Sequence, residues 1–129
     1  MAHLRVHEAA RLLQVSDDTV RRWIGDGRLV ASAAGGPLTV DAASVAAMMA
    51  QAAPPTAPRT ASARNRLPGI VTRVEKDGVM ALVEIQAGPH TVTSLMTRES
   101  AEELGLEPGV RATAVVKATN VVVEMDVPA

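Results

Sequence analysis

Hydrophobic residues change their spacing between the two halves of the chain. Up to about residue 50 they recur three or four residues apart, as Val6, Ala9, Ala10 and Leu13 do, which is the pattern of a helix with one buried face. From about residue 62 they alternate with polar residues or run together in pieces of strand length. The pattern predicts an α+β protein with a helical N-terminal part and a β-rich C-terminal part.

The N-terminal part predicts two helices separated by a short turn. The first helix ends at Leu13, and the turn consists of Gln14-Val15-Ser16. Ser16 suits the N-cap of the second helix, because its hydroxyl can accept a hydrogen bond from a free amide of the first turn. This helix should end near Gly25 or Gly27. Its buried stripe consists of Val20, Trp23 and Ile24.

A hairpin, a third helix and a linker are predicted between residues 29 and 61. Residues 29–40, interrupted at Gly35-Gly36-Pro37, predict the hairpin. Asp41 can cap the third helix, which continues through Met49. The segment 51–61 holds three prolines among small residues, a composition that favours an extended, semi-rigid linker. The predicted domains are therefore residues 1–50 and 62–129.

The C-terminal part predicts five strands and one short helix. The strands cover residues 67–75, 79–87, 90–96, 110–116 and 121–124. The helix covers about residues 98–104, between the third and fourth strands, with Thr97 as its N-cap and Gly105 as its stop. This order fits a five-stranded OB-like β-barrel.

Composition and charge narrow the functional classes. The chain has 129 residues, no cysteine and a net charge of −1, which excludes disulfides and thiolate metal sites and gives no general attraction to nucleic acid. No apolar run approaches the roughly 18 residues of a membrane span, so we expect a cytoplasmic protein with no membrane partner. The sequence shows no paired carboxylates, no nucleophile beside a base and no phosphate loop, so we expect no enzymatic activity.

Three short motifs in the C-terminal part carry a family resemblance. They are Ser62-Ala63-Arg64-Asn65, Met96-Thr97-Arg98-Glu99-Ser100 and Lys117-Ala118-Thr119-Asn120-Val121. In this order and spacing they resemble the Mop domain, also called molbindin, of the TOBE group. The resemblance implies a domain that binds molybdate or tungstate and no metal cation. The oxyanion-binding residues that it implies are Ser62, Ala63, Arg64, Thr97, Ser100, Lys117, Ala118 and Thr119.

These residue types suit a tetrahedral dianion. Such an anion needs several directed N–H and O–H donors and modest positive charge, which hydroxyls, backbone amides and Lys117 can supply. The resemblance also implies a homo-oligomer, a hexamer built as a trimer of dimers. Its binding sites would lie between chains, with Ser62 and Arg64 meeting Lys117 of another protomer. A barrel for single-stranded nucleic acid is disfavoured, because residues 62–129 contain no Phe, Tyr or Trp for stacking.

A second resemblance lies in the N-terminal part. Residues 6–13, residues 15–24 and Gly27-Arg28-Leu29 resemble the excisionase and MerR-like winged helix-turn-helix. The resemblance implies that the second helix enters the major groove of double-stranded DNA. Asp17 and Asp18 stand four residues before two arginines of this helix, so the same arginines can instead be neutralised on an exposed helix. The DNA-binding residues that the resemblance implies are Ser16, Thr19, Arg21 and Arg22.

Together the two resemblances predict a transcriptional regulator. It would sense molybdate or tungstate through its C-terminal domain and bind DNA through its N-terminal domain. The alternative is a molybdate or tungstate storage or buffering protein, a molbindin whose N-terminal domain is a tether or a protein-interaction module. A regulator should bind DNA sequence-selectively in a way that depends on Arg22, whereas a storage protein should show high anion capacity and no operator.

Overall fold

Two compact units divide the chain. The structure, a computed structural model, describes residues 2–32, 36–52 and 60–126. The units comprise residues 1–57 and 58–129. The predicted linker at 51–61 lies mostly outside the described residues, and the predicted domain limits stay predictions. Within the described ranges, no helix is long and apolar enough to cross a membrane.

The two predicted N-terminal helices are confirmed. α1 covers Val6–Leu13 and α2 covers Asp17–Gly25. Gln14 follows α1 with a left-handed backbone, φ 59°, so the chain turns sharply there. Ser16 caps α2 as predicted, because its hydroxyl accepts a hydrogen bond from the amide of Thr19.

A small sheet and a third helix complete the N-terminal unit. β1 (His3–Arg5), β2 (Ala31–Ser32) and β3 (Thr39–Asp41) pair antiparallel in the order β1-β3-β2. α3 follows over Ala42–Ala52. The pairing of β2 with β3 confirms the predicted hairpin. Its connection includes residues 33–35, which lie outside the described residues, and the winged arrangement stays a prediction.

The core of the N-terminal unit fixes which face of α2 is exposed. Its buried residues are Val6, Ala9, Ala10, Val20, Leu29, Val40 and Val45. Trp23 and Ile24 pack against this cluster and are only half-buried. Because burial of apolar surface contributes roughly 25 cal/mol per Å², this stripe holds α2 against α1. Arg21 and Arg22 consequently lie on the exposed face.

The C-terminal unit is a curled antiparallel sheet with one short helix. Among the described residues the sheet has four strands in the order β6-β5-β4-β7. They are β4 (Asn65–Lys76), β5 (Met80–Ala87), β6 (His90–Thr97) and β7 (Arg111–Val116). β4 serves two neighbours, because its first half pairs with β7 and its second half with β5. α4 (Arg98–Glu103) follows β6 and is capped by Thr97 as predicted.

One face of the sheet and α4 form the C-terminal core. Side chains that alternate along the strands point inward, and Ala101 of α4 is fully buried. The central buried residues are Val71, Val83, Ile85 and Leu106. At Gly69 the backbones of β4 and β5 come so close that an added Cβ would overlap the carbonyl oxygen of Gln86. Only glycine fits there without a shift of the backbone.

The predicted fifth strand, residues 121–124, is wrong. Within the described residues this segment joins no sheet, and Val122 and Val123 are 92% and 83% exposed. A 3₁₀ turn, Ala118–Asn120, separates the segment from β7 in place of a hairpin turn. A run of consecutive valines also needs cover on both faces, which the described part of the chain does not provide. The five-stranded barrel is therefore wrong for the described residues, whose edge strands β6 and β7 do not pair.

Candidate functional site

The pairing of β4 with β7 brings the first and last motifs to one end of the sheet. Asn65, which ends the first motif, pairs with Val116, which directly precedes Lys117. Nδ2 of Asn65 donates to the carbonyl oxygen of Val116 at 3.0 Å. The resemblance implied that Ser62 and Arg64 meet Lys117 of another protomer. The register places Asn65 beside Val116 of the same chain, and the meeting of Ser62 and Arg64 with Lys117 of another protomer stays a prediction.

The Lys117 end of the sheet offers positive charge and free donors. Lys117, Ala118 and Thr119 are exposed. Among the described residues, Lys117 forms no ion pair with a carboxylate. Ala118 and Thr119 begin the 3₁₀ turn, so their amides have no acceptor within it. A small anion at this turn can be contacted by an ammonium group, two amides and a hydroxyl.

Arg64 is folded back on its own segment. Its Nη1 donates to the carbonyl oxygens of Ala61 at 3.3 Å and of Ser62 at 3.0 Å. Ser62 is exposed and Ala63 is half-buried. The guanidinium thus stabilises the segment that enters β4. An anion that Arg64 contacts would compete with these two carbonyl oxygens for the guanidinium.

Thr97 and Ser100 form a hydroxyl pair at the start of α4. Thr97 Oγ1 accepts from the amide of Ser100 at 3.1 Å and donates to Ser100 Oγ at 2.8 Å. The Thr97 hydroxyl is therefore used twice within the cap. The hydrogen of the Ser100 hydroxyl is not used in this pair, and Ser100 is half-buried. Ser100 is the hydroxyl of the pair that can donate to an anion.

The two groups of predicted site residues lie at opposite ends of β4. Asn65 starts β4 beside the Lys117 turn, and Lys76 ends it beside Ala81 of β5. Thr97 pairs with Met80, at that second end. β4 has 12 residues, and a straight strand rises about 3.3 Å per residue. The sheet of one chain therefore does not bring all the predicted residues into one site.

Arg98 fastens α4 to the turn between β4 and β5, a contact that the motifs did not predict. Its Nε donates to the Glu102 carboxylate at 2.9 Å, and its Nη1 donates to the carbonyl oxygen of Asp77 at 3.2 Å. Lys76 Nζ lies 4.0 Å from the same Glu102 carboxylate. The hydrogen bond from Arg98, together with the charges of Arg98 and Lys76, lowers the pKa of Glu102. The four-residue spacing of Arg98 and Glu102 is the sequence signal that could have found part of this contact.

Asp77 closes the same turn. Its carboxylate accepts hydrogen bonds from the amides of Met80 at 2.7 Å and Val79 at 2.8 Å. These two hydrogen bonds lower the pKa of Asp77, because they stabilise its charged form. The turn and α4 are thus joined by charged groups next to the Thr97–Ser100 pair.

The predicted DNA-binding residues of α2 and its N-cap differ in whether their polar groups already have partners within the chain. The hydroxyls of Ser16 and Thr19 lie 3.0 Å apart and bond to each other. Arg21 Nη1 lies 3.6 Å from Asp18 Oδ1. Among the described residues, neither Arg21 nor Arg22 pairs with the aspartate four residues before it, and Arg22 has no ion pair. Arg22 is consequently the predicted residue with most freedom to contact a ligand.

Known protein families match both units. The TOBE domain family matches residues 61–123, and the helix-turn-helix domain family matches residues 4–53. The TOBE match contains all the predicted oxyanion-binding residues, and the helix-turn-helix match contains all the predicted DNA-binding residues.

Individual relatives match the C-terminal part. The molybdenum-pterin-binding protein 2 of Clostridium pasteurianum is 44% identical over 63 residues, 48% of this chain and 93% of that protein. A probable molybdenum-pterin-binding protein of Haemophilus influenzae is 39% identical over 66 residues, 50% of this chain and 96% of that protein. The structure of a molybdate-binding protein from Sporomusa ovata is 33% identical with a TM-score of 0.50, covering 52% of this chain and 100% of that chain. The chain therefore belongs to the TOBE-domain family, through a domain similar to the molybdenum-pterin-binding proteins that follows a helix-turn-helix domain.

Proposed function

We propose that this protein is a transcriptional regulator that binds molybdate or tungstate through its TOBE domain and double-stranded DNA through its helix-turn-helix domain. The observation that carries the proposal is the presence of both domains in one chain. A storage protein needs no helix-turn-helix, so the pairing does not favour that alternative. The proposed role is binding and regulation rather than catalysis. A DNA-binding regulator acts where DNA is, and the proposal therefore keeps the cytoplasmic location expected from the sequence.

The proposed anion chemistry rests on donors that have few partners of their own. Lys117 has no described carboxylate partner, and the amides of Ala118 and Thr119 open a turn. Hydrogen bonds from charged or backbone donors to an oxyanion are among the stronger ones in proteins. Ser100 adds a hydroxyl hydrogen that its cap does not use. This set gives a dianion directed hydrogen bonds with only modest positive charge.

We place the proposed site between two chains. The Lys117 turn and the Ser100 hydroxyl lie at opposite ends of β4, so a site that uses both must take them from different copies. Two-fold pairing makes this possible, because the first end of one copy then meets the second end of the other. Each pair of chains would hold two equivalent sites.

The exposed C-terminal segment supports a homo-oligomer, which we propose to be a hexamer built as a trimer of dimers. Val122, Val123 and Met125 are 92%, 83% and 82% exposed. Contiguous exposed apolar side chains are typical of an interaction surface, because they contribute to stability only when another surface covers them. Val122→Glu should therefore reduce the molar mass seen by light scattering. Val30→Glu is the matched control, since Val30 is 60% exposed in the N-terminal unit. An unchanged mass for both variants would contradict the proposed role of the segment.

Calorimetric titration tests the anion half of the proposal. The full chain should bind molybdate and tungstate tightly, and sulfate at equal concentration should not displace them. Lys117→Ala should weaken the binding, because it removes the charged donor of the site. Equal binding of sulfate, or none of molybdate, would refute the anion-sensing function.

Selection from a random pool of DNA duplexes tests the other half. The full chain, with and without molybdate, should enrich a common sequence, and Arg22→Ala should lose the enriched sequence. If the protein binds the anion but enriches no sequence in either condition, the regulatory function is refuted, and a high anion capacity would then support storage.

A further inference from the structure

Arg28 lies over the only tryptophan of the chain. Its guanidinium carbon is 4.8 Å from the centroid of the Trp23 ring, within the roughly 6 Å at which a cation is attracted to an aromatic face. Trp23 is half-buried at the edge of the core, whereas Arg28 is exposed. The contact therefore holds a charged group in a fixed orientation at the surface.

The backbone on both sides of Arg28 is also fixed. The amides of Arg28 and Leu29 both donate to the carbonyl oxygen of Trp23, at 2.9 and 3.3 Å, and Leu29 is only 2% exposed. The carbonyl oxygen of Val30 then accepts from the amide of Asp41 at 2.8 Å, where the hairpin begins. Arg28 thus stands at the junction between the end of α2 and the β2–β3 hairpin.

The contact with Trp23 leaves the hydrogen-bond donors of Arg28 available. The guanidinium group carries five N–H donors, and its attraction to the ring at 4.8 Å uses the charge of the group rather than a hydrogen bond. Among the described residues, Arg28 forms no ion pair, although Arg21 on the same helix is 3.6 Å from Asp18. The group is therefore oriented, charged and without a described anionic partner.

We propose that Arg28 is a contact for the DNA backbone phosphate, held ready by Trp23. This inference rests on the proposed DNA-binding function and adds to it a residue outside the four predicted ones. A phosphate contact fixes the position of the protein on the duplex and carries no sequence information. Arg28 thus anchors the end of α2 to the DNA backbone, and Arg22 on the exposed face of that helix stays a predicted DNA contact.

A purely structural role for Arg28 makes a different prediction. Near the end of α2, a cation also stabilises the helix through its dipole, and in that case replacing it changes unfolding and not the salt dependence of DNA binding. The dependence of affinity on salt counts phosphate contacts directly, because each contact releases counterions. The experiment therefore measures this dependence.

Fluorescence anisotropy measures binding of the full chain to a labelled, mixed-sequence duplex of about 20 base pairs, which is two turns of DNA. The slope of log affinity against log salt should fall by about 0.9 in Arg28→Gln, and affinity at 0.1 M salt should fall about eightfold. Arg28→Lys should keep the slope, because it keeps the charge. Arg11→Gln is the matched control, since Arg11 is an exposed arginine on α1 without a described ion pair, and its slope should not change.

The fluorescence of Trp23 gives a second readout. Its emission should change when the duplex is added, and this change should be lost in Arg28→Gln and kept in Arg11→Gln. A wild-type slope in Arg28→Gln, with DNA binding intact, would overturn the inference and leave the proposed function standing. If the parent protein binds no duplex even at low salt, the DNA-binding function fails and the inference fails with it. If Arg28→Gln does not fold, the variant Trp23→Phe replaces it and Arg28→Lys is measured beside it. Both variants keep the positive charge at residue 28 but weaken its contact with the ring. Their affinity for the duplex should therefore fall, and an unchanged affinity in both would overturn the inference.

Discussion

The placement of the site residues at two ends of β4 makes a prediction about mixed oligomers. Lys117→Ala removes the charged donor at one end, and Ser100→Ala removes a hydroxyl donor at the other. Each variant alone should bind molybdate weakly. If every site takes one end from each of two chains, co-assembly of the two variants should restore some sites completely.

The magnitude follows from the pairing. A hydrogen bond to a charged group contributes about 1.5–3 kcal/mol, so each variant should lose roughly 10- to 150-fold in affinity. When the two variants are mixed in equal amounts, half of the pairs should contain one of each. In such a pair one site carries both substitutions, and the other combines the intact Lys117 of one chain with the intact Ser100 of its partner. One quarter of all sites should therefore regain the affinity of the parent protein.

Calorimetry measures this fraction after the two variants are unfolded together and refolded. The titration uses a molybdate concentration that fills parental sites and leaves single-variant sites mostly empty. Mixing Lys117→Ala with Thr119→Ala is the control, because both substitutions affect the same end and no mixed pair regains an intact site. If the first mixture recovers no parental sites while its chains exchange, the site lies within one chain or does not use both ends, and the two-chain site is refuted.

Two further predictions concern the sheet itself. Gly69→Ala should lower the stability of the C-terminal unit by about 2 kcal/mol, because the new Cβ overlaps the carbonyl oxygen of Gln86. Gly78→Ala, where an added Cβ meets nothing within 4 Å, is the control in thermal unfolding, and equal melting temperatures would contradict the reasoning. Stability of this unit should also fall on acidification, because the folded pKa values of Asp77 and Glu102 lie below their ordinary values of 3.8 and 4.5. Both groups contribute their full stabilisation above those ordinary values, and the contribution is lost as the pH falls through the lower folded values. Urea unfolding between about pH 7 and 3 should therefore show a smaller loss of unfolding free energy in Glu102→Gln than in the parent protein.

The parts of the fold that depend on local spacing were predictable from the sequence. Ser16 and Thr97 each mark a helix start, because a hydroxyl one residue before a helix satisfies an amide of its first turn. The alternation in β5 likewise shows its buried face, which includes Val83 and Ile85. Such features involve residues close in sequence, so a short window contains all the interactions that decide them.

The parts that depend on distant partners were not predictable in this way. Residues 121–124 have the composition of a strand, but a strand also needs a neighbour, and the sequence does not say whether one chain provides it. The three Mop-type motifs predicted a single binding site, although the strand register places Ser100 and Lys117 at opposite ends of β4. The contact of Arg28 with Trp23 depends on the turn after α2, in which Gly27 has φ 77°. Spacing alone does not reveal that contact.

A site shared by two chains would also couple anion binding to DNA binding. An anion that binds only the paired state stabilises it by about 2.7 kcal/mol per site when its concentration is 100 times its dissociation constant. The two sites of a pair together would favour pairing by about 10⁴-fold. Two helix-turn-helix domains on one assembly then bind neighbouring half-sites at a high effective concentration. It follows that Lys117→Ala should keep the DNA affinity that the parent shows without molybdate and lose the increase that molybdate produces, as measured by anisotropy on the selected duplex. An equal increase in both proteins would show that the anion acts on DNA binding by a route that does not involve Lys117.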